Sequence, residues 1–397
     1  MRILVLENEP SSRRGGQEFS LLEVCRGLAR RGHKIDLLYT ADGDLLVEYR
    51  QFCRRIDRVT AYAINRSQTL RSIGRLAADL VRMGRQAPDV IYANQYLDSL
   101  FARLLSWRFQ RPFVCHLRLP PPDVFCGQYR WGMAGIARLI ATSNQTREDY
   151  VARGFDRDHN DVVHNGISTV DWQPTLTRSE ARSRLRLDQE AFLVAYAGRF
   201  HPSKGIEVLI EALPLLSPDA QLVIAGREIP DGRKELYEEQ LKARAAALGV
   251  TARCQWIGHI RKTLELYRAA DVTVLPSIHS ETFGRTMIES MACCTPVVAS
   301  NSGGIPEILT GEFSQHLFPI SDSRALAERL NALHDWMERD PGLGGRCREH
   351  VKSHFDIGTA VAGVEQSLER TVAEWRAGVR PRAAGATPRA QNPCASA

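Results

Sequence analysis

Short apolar or β-branched runs alternate with longer stretches of helical periodicity along almost the whole chain, and that alternation leaves few folds open. In the first half, Arg2–Glu7, Lys34–Thr40, Asp89–Asn94, Pro112–Arg118, Arg138–Ser143 and Asp161–His164 read as strands. Helical patterns lie between most of them, at Gln17–Arg31, Thr69–Gln86, Leu97–Arg108 and Gln145–Arg153. The second half repeats the scheme, with strands at Phe192–Ala197, Gln221–Ala225, Cys254–Ile257, Asp271–Leu275, Pro296–Ser300 and His316–Ile320. Its helices fall at Gly205–Leu216, Glu235–Leu248, Thr263–Ala270, Arg285–Cys293 and Ser323–Trp336. Strands joined by helical crossovers call for a parallel, doubly wound α/β sheet.

At 397 residues the chain has room for two such sheets, each with its own core. A polar, charge-rich connector from about Asp171 to Glu190 contains Pro174 and no strand pattern, which makes it the expected junction. The expected layout is a first domain over 1–172, a linker over 173–190, a second domain over 191–358 and a helix over 359–377. From Gly378 the sequence turns rich in Pro, Ala, Arg and Gly, so 378–397 is expected to be an unstructured tail.

Four places carry candidate chemistry. The densest is PSIHSETFGRTMIESMACCTPVVASNSGGIPE, from Pro276 to Glu307. It reads as a strand end, a polar loop, a helix from Arg285, a second strand and a Gly303-Gly304 turn into Ile305-Pro306-Glu307, with Pro favoured in a first helical turn. Loops of this kind lie beyond the carboxyl ends of parallel strands, where ligands bind. Gly284 lets the backbone approach a ligand, and the first amides of the helix, at Arg285 and Thr286, offer free N–H groups and a partial positive charge that suit phosphate. Glu281 precedes the helix and Glu289 lies about one turn inside it. The two carboxylates can face one cleft without touching and accept hydroxyl groups such as those of a sugar and a ribose. A solvated Glu and a helix-capping Glu is the plainer alternative.

The second place is Gly198-Arg199-Phe200-His201-Pro202-Ser203-Lys204-Gly205. Arg199 leaves the end of a buried strand and Lys204 precedes a helix by one residue, so two cations meet at the mouth of the cleft, and their combined charge can neutralise a nucleoside diphosphate as it leaves. Ordinary surface basic residues are the alternative. The third is Arg14-Gly15-Gly16-Gln17-Glu18. It is not a GxGxxG fingerprint, which removes the main support for a nicotinamide enzyme. Gly15 and Gly16 opening a helix still make a turn by which backbone can approach phosphate, unless the loop is merely flexible. His116, in Phe113-Val114-Cys115-His116-Leu117-Arg118, stands at the strand edge where ligands gather, although a lone His is more often structural.

The Glu281–Glu289 pair, separated by seven residues and followed by Met291-Ala292, Pro296–Ser300 and Gly303-Gly304-Ile305-Pro306-Glu307, closely resembles the signature of the family-4 glycosyltransferases. These are retaining enzymes of the GT-B fold, two Rossmann-like doubly wound domains facing each other across a cleft. The resemblance implies an acceptor-side first domain, a donor-side second domain and a last helix that packs back on the first domain. It implies that Arg199 and Lys204 bind the donor pyrophosphate, with Gly15 and Gly16 facing it across the cleft, and that Phe283, Gly284, Arg285 and Thr286 line the donor site. Glu281 would hold the sugar, Glu289 the ribose, and His116 would lie close to the donor sugar. The implied catalytic group is His116, Glu281, Arg199 and Lys204. Ser143-Asn144 and His164-Asn165-Gly166-Ile167 match family landmarks; the latter reads as a turn closing the first domain, with Asn165 and Gly166 suited to positive φ. One departure is visible: Cys294 stands where the family usually has Gly.

The expected reaction is transfer of a hexosyl group from a nucleotide-diphosphate sugar to an acceptor hydroxyl with retained configuration, in envelope polysaccharide or glycolipid synthesis. No cofactor beyond the co-substrate and no metal is expected. Asp42-Gly43-Asp44 fits the DxD string of metal-dependent transferases but lies in a turn where Asp and Gly are ordinary. Two other readings stay open. One is a GT-B epimerase or phosphorylase, which should lack the two-glutamate motif or carry a pyridoxal lysine; the other is a non-catalytic nucleotide-sugar-binding module.

The net charge of +6 is concentrated. Between Arg50 and Arg85 stand nine arginines (50, 54, 55, 58, 66, 71, 75, 82, 85) against Asp57 and Asp79. Arg71, Arg75 and Arg82 share one face of a helix whose other face carries Leu70, Ile73, Leu76, Ala77, Leu80 and Val81. Such a helix suits peripheral contact with an anionic membrane, or is simply a solvated face. Only Phe52 and Tyr62 fall among these arginines, too few for the interleaved stacking platform single strands require, so nucleic acid is not an expected partner. There is no apolar run of about 18 residues, and MRILVLENEP reads as a strand entering an acidic loop, not a signal peptide. The expected location is the cytoplasm or the inner face of the membrane. Nine scattered cysteines with no CxxC pair indicate neither zinc nor a disulfide framework.

Overall fold

The computed structural model describes residues 1–84, 86–125, 127–228 and 236–379. Among them, thirteen strands form two parallel sheets in two compact units. The first unit comprises Met1–Pro10, Cys25–Val163 and the chain from Ala362; the second comprises Ser11–Val24 and His164–Val361.

The first sheet contains β1 Arg2–Glu7, β2 Lys34–Tyr39, β3 Arg55–Arg58, β4 Val90–Ala93, β5 Phe113–Leu117, β6 Arg138–Ala141 and β7 Asn160–Val162, in the order β3-β2-β1-β4-β5-β6-β7. The order reverses at β1, which pairs with β2 on one side and β4 on the other, so a crevice opens beyond the carboxyl ends of β1 and β4. Interior strands such as Val90–Ala93 are buried at every position, as a sheet covered on both faces requires. Strand β3 is the one the sequence reading passed over. Arg55-Ile56-Asp57-Arg58 is a charged edge strand with a single apolar residue and no periodicity to betray it.

The second sheet contains β8 Phe192–Phe200, β9 Ala220–Glu228, β10 Cys254–Gly258, β11 Val272–Leu275, β12 Val297–Ser300 and β13 Leu317–Phe318, in the order β10-β9-β8-β11-β12-β13. Its reversal lies at β8, between β9 and β11. Between the sheet and its helices lies a large apolar core that includes Val194, Tyr196, Ile224, Val274, Met287 and Phe318.

Several expectations change. The 173–190 linker is folded into the second unit: Thr177 and Glu180 form a capping box for the helix Arg178–Leu185. Arg182 from that helix donates to buried Asp271 at 2.7 Å, and Arg178 pairs with the same carboxylate. Neither Asn165 nor Gly166 has positive φ. Gly166 is needed for close approach instead, since a Cβ there would stand 2.7 Å from the carbonyl oxygen of Asp356, where Ile167 exchanges backbone hydrogen bonds with Phe355 and Ile357. Cys294 does occupy the left-handed region, at φ 61°, just past the helix Arg285–Ala292.

The last helix runs Ile357–Arg376, and from Ala362 it counts with the first unit. There Glu365 pairs with Arg31 at 2.6 Å and His33 at 2.7 Å, and Glu374 with Arg138 at 2.6 Å. Of the tail expected at 378–397, all but Gly378 and Val379 lies outside the described residues, as does Arg85 of the basic cluster. On the helix Thr69–Arg82 only Leu76 and Asp79 are buried; Leu70, Ile73 and Val81 are exposed. Among the described residues no helix is long and apolar enough to cross a membrane.

Candidate functional site

At the reversal of the second sheet, β8 runs out at Arg199 and Phe200 into the turn Pro202–Lys204, and β11 runs into the loop of residues 276–284. The two loops are tied, since the Ile278 amide donates to the Ser203 carbonyl at 3.0 Å. Lys204 Nζ then donates to Glu281 Oε2 at 2.5 Å, and Ser277 Oγ donates to the same oxygen at 3.0 Å. Burial by itself pushes the Glu281 carboxyl up, but the Lys204 ammonium, the hydrogen bonds and the charge of Arg199 outweigh it and hold the group below the usual carboxylate range. Arg199 is exposed at the strand end. Lys204 and Glu281 are thus in contact, with the Arg199 charge felt by the carboxylate.

The Gly303-Gly304 turn fixes this loop. Gly303 has φ +56°, and a Cβ there would fall 2.2 Å from the Glu281 carbonyl oxygen, which accepts from the Gly304 amide at 2.7 Å. Gly284, at φ +103°, makes the bend into the helix Arg285–Ala292, and Thr286 is half-buried in the first turn. Phe283 is a core residue: its ring packs near Phe355 and His164, at centroid distances of 5.7 and 5.9 Å, so only its main chain can face a ligand.

Arg285 is expected from its backbone amide alone, yet its side chain is the hub of a buried network. Nε donates to Glu289 Oε1 at 2.7 Å, and Nη1 donates to Glu23 Oε2 at 2.8 Å and to Ser20 Oγ at 3.2 Å. Its stem lies against Gly16, where a Cβ would meet Arg285 carbons at 3.2 and 3.3 Å. Tyr267 O–H donates to the other oxygen of Glu289 at 3.3 Å. Burial raises Glu289 above the usual range despite the opposing Arg285 charge, whereas Arg285 is held more firmly protonated because Glu23 and Glu289 outweigh its burial. Glu307, the last residue of the long motif, pairs with His164 at 3.0 Å.

The first unit has its own polar cluster at the reversal of its sheet. Asn94, just beyond β4, donates from Nδ2 to Glu7 Oε2 at 3.0 Å and accepts from Arg118 Nε at 2.6 Å. His116 is buried, with Nδ1 within 2.5 Å of the Tyr92 hydroxyl and 3.3 Å of Arg118 Nη2. A guanidinium can only donate, so Nδ1 is the acceptor and the neutral ring carries its proton on Nε2. That nitrogen is buried without a hydrogen-bond partner. Burial, reinforced by Arg118, pushes the imidazole well below its ordinary pKa and keeps it neutral. Asp42 of the DxD string forms an ion pair with Arg58 at 2.9 Å.

The expected residues therefore fall into separate groups: Arg199, Lys204 and Glu281; Gly16, Arg285 and Glu289; and His116. Sequence reasoning missed Ser277, Glu23, Tyr267, Glu7, Asn94 and Arg118. Glu7 and Asn94 had a usable signal, being polar residues at the carboxyl ends of apolar strands.

Two family models match in succession, Glycosyltransferase Family 4 over residues 14–171 and Glycosyl transferases group 1 over residues 177–341. The chain belongs to glycosyltransferase family 4. Among curated relatives, D-inositol 3-phosphate glycosyltransferase of Mycolicibacterium gilvum is 32% identical over 243 residues, 60% of this chain and 53% of the relative, so the match spans about half of that protein. D-inositol 3-phosphate glycosyltransferase 1 of Catenulispora acidiphila is 27% identical over 396 residues, 92% of this chain and 91% of the relative. Among solved structures, Anabaena HepE in complex with UDP and glucose superposes with a TM-score of 0.81 at 22% identity, covering 93% of this chain and all of HepE. The fold of this family-4 chain is accordingly GT-B, with a Rossmann-like sheet in each unit.

Proposed function

We propose that this family-4 glycosyltransferase moves a hexosyl group from a nucleotide-diphosphate sugar to an acceptor hydroxyl with retained configuration and without a metal. The observation that carries the reading is the Lys204–Glu281 pair at the reversal of the second sheet, beside the strand end that bears Arg199. Cleaving a sugar–phosphate bond builds positive charge on the anomeric carbon and negative charge on the leaving diphosphate. Arg199 and Lys204 neutralise that diphosphate, joined by the Gly284–Thr286 main chain and the Gly15-Gly16 turn. Glu281, released from Lys204 as the ammonium turns to phosphate, accepts sugar hydroxyls. Glu289, held in place by Arg285, accepts from the ribose, and His116 offers its Nε2 proton to a substrate hydroxyl. HepE is solved with UDP and glucose, which supports a donor of this class.

The test is a thermal-shift screen with UDP-, GDP- and ADP-sugars, followed by turnover. At a hundred times its Kd a ligand stabilises by about 2.7 kcal/mol, which is roughly 5–10 °C for a domain near 200 residues. Glu281→Ala abolishes transfer in this reading, while a non-catalytic binding module has none to lose. NMR of the product reads the anomeric configuration, and loss of turnover in EDTA that Mn²⁺ or Mg²⁺ restores refutes metal independence.

The acceptor is a lipid-linked or envelope carbohydrate, met at the inner face of the membrane. The helix Thr69–Arg82 supports this, because exposed Leu70, Ile73 and Val81 form an apolar face beside the face that carries Arg71, Arg75 and Arg82. Co-sedimentation with anionic but not neutral vesicles is the expected result.

A further inference from the structure

Glu18 has no part in the scheme above, yet it stands two residues after the Gly15-Gly16 turn, in the first turn of the helix Gly16–Arg30, and is 1% exposed. One carboxyl oxygen is engaged: Gln17 Nε2 donates to Oε1 at 2.9 Å, and Arg14 Nε lies 3.4 Å from it. The other, Oε2, is buried with no hydrogen-bond partner. A buried carboxyl oxygen left unsatisfied is costly, so a native fold that keeps one points to a partner that arrives later. What surrounds it is a place for an anion. Gly15 has open space where a side chain would be, it opens the start of a helix, and the charges of Arg14 and Arg199 reach the carboxyl. The other charged neighbour of the turn, Arg285, is already neutralised by Glu23 and Glu289.

An ionised Glu18 opposes an incoming diphosphate, whereas a neutral one offers it a hydrogen bond. We infer that Glu18 is a positioning residue that meets the donor diphosphate as a carboxylic acid, its Oε2–H donating to a phosphate oxygen, so that donor binding above neutral pH carries one proton into the site. The inference rests on the reading that a nucleotide-diphosphate sugar binds here. Burial, working against Gln17, the Glu18 amide, Arg14 and Arg199, raises the free carboxyl to about 7, so the acid form is accessible under ordinary conditions. A diphosphate beside it raises the group further. Below pH 6 the proton is already present and binding takes up none; above pH 7 it is drawn from solvent, and affinity falls by up to tenfold per pH unit.

The experiment uses the full chain with UDP-glucose, GDP-mannose and ADP-glucose, whose diphosphates are diesters that do not titrate near neutrality. With whichever probe raises the melting temperature, calorimetry in two buffers of different ionisation enthalpy counts protons at pH 5.5 and pH 8. The expected result is near zero at pH 5.5 and approaching one per ligand at pH 8. Glu18→Gln keeps a neutral donor at every pH, so its Kd is flat across that range and at pH 8.5 is tighter than the wild type's. A residue that merely caps the helix moves neither reading. Binding without proton uptake at pH 8, or uptake unchanged in Glu18→Gln, overturns the inference alone. Stabilisation by none of the three probes overturns the diphosphate reading and the inference with it. Should the Gln variant fail to fold, the wild-type proton count still decides.

Discussion

Replacing Arg285 by Met separates a structural hub from a binding residue. Met keeps the unbranched stem that lies against Gly16 and removes the guanidinium that bonds Glu289 at 2.7 Å and Glu23 at 2.8 Å. With Arg285 only 7% exposed and Glu289 equally buried, the variant strands the Glu289 carboxylate away from water, while half-buried Glu23 keeps some access to it. Removing one partner of a buried pair costs about 3–5 kcal/mol. Protonation sets a ceiling: forcing a carboxyl with an ordinary value near 4.5 to be neutral at pH 7 costs about 3.4 kcal/mol, from roughly 1.36 kcal/mol per unit. A loss of about 3 kcal/mol follows, or roughly 6–12 °C in melting temperature for a domain of this size. Urea unfolding followed by tryptophan fluorescence at pH 7.5 and 5.5 checks it. The loss shrinks at pH 5.5, because a carboxyl left buried without its cation has a raised pKa and is protonated more cheaply there. Arg285→Met with Glu289→Gln recovers part of the loss, a coupling on the order of 2 kcal/mol. A loss under about 1 kcal/mol, equal losses at both pH values, or strict additivity refutes the reasoning.

Gly303→Ala drives a methyl group into the Glu281 carbonyl at positive φ; a destabilisation of about 1–3 kcal/mol is expected, with donor binding weakened by calorimetry because the Glu281 loop must shift. Cys294→Gly relieves a left-handed residue and is expected to raise stability by about 1 kcal/mol, read as a shift of the urea midpoint with unchanged slope. Lys204→Ala weakens nucleotide-sugar binding and also flattens acid unfolding. Because Glu281 is held below its ordinary 4.5, its contribution is present above that pH and is lost as pH falls through the lowered value, a loss below pH 4.5 that the variant no longer shows.

The strands that became the middles of the two sheets were legible because a strand covered on both faces is mostly apolar and β-branched, as Val272–Leu275 and Val297–Ser300, buried at every position, are. Where that pressure is absent the reading failed. The helix Arg178–Leu185, RSEARSRL, buries only Ala181 and Arg182, so it carries no apolar stripe, and a folded segment passed for a linker. At the site, the Lys204–Glu281 contact could be anticipated because both residues sit at loop positions that strand order brings together. The partners of Arg285 could not: Glu23 is 262 residues away, and nothing local marks it as the acid that turns this arginine inward. Gly303 was legible as a turn residue but not as the clasp on Glu281, since a close approach is a property of two segments.

The hydrogen bonds around His116 bear on where a proton goes during transfer. An imidazole whose accepting nitrogen is already engaged by a phenol and a guanidinium cannot serve as the base for an attacking alcohol. In the proposed transfer His116 therefore acts as an anchor that gives a hydrogen bond, and the attacking alcohol passes its proton to another acceptor, a role the chemistry of the departing phosphate allows.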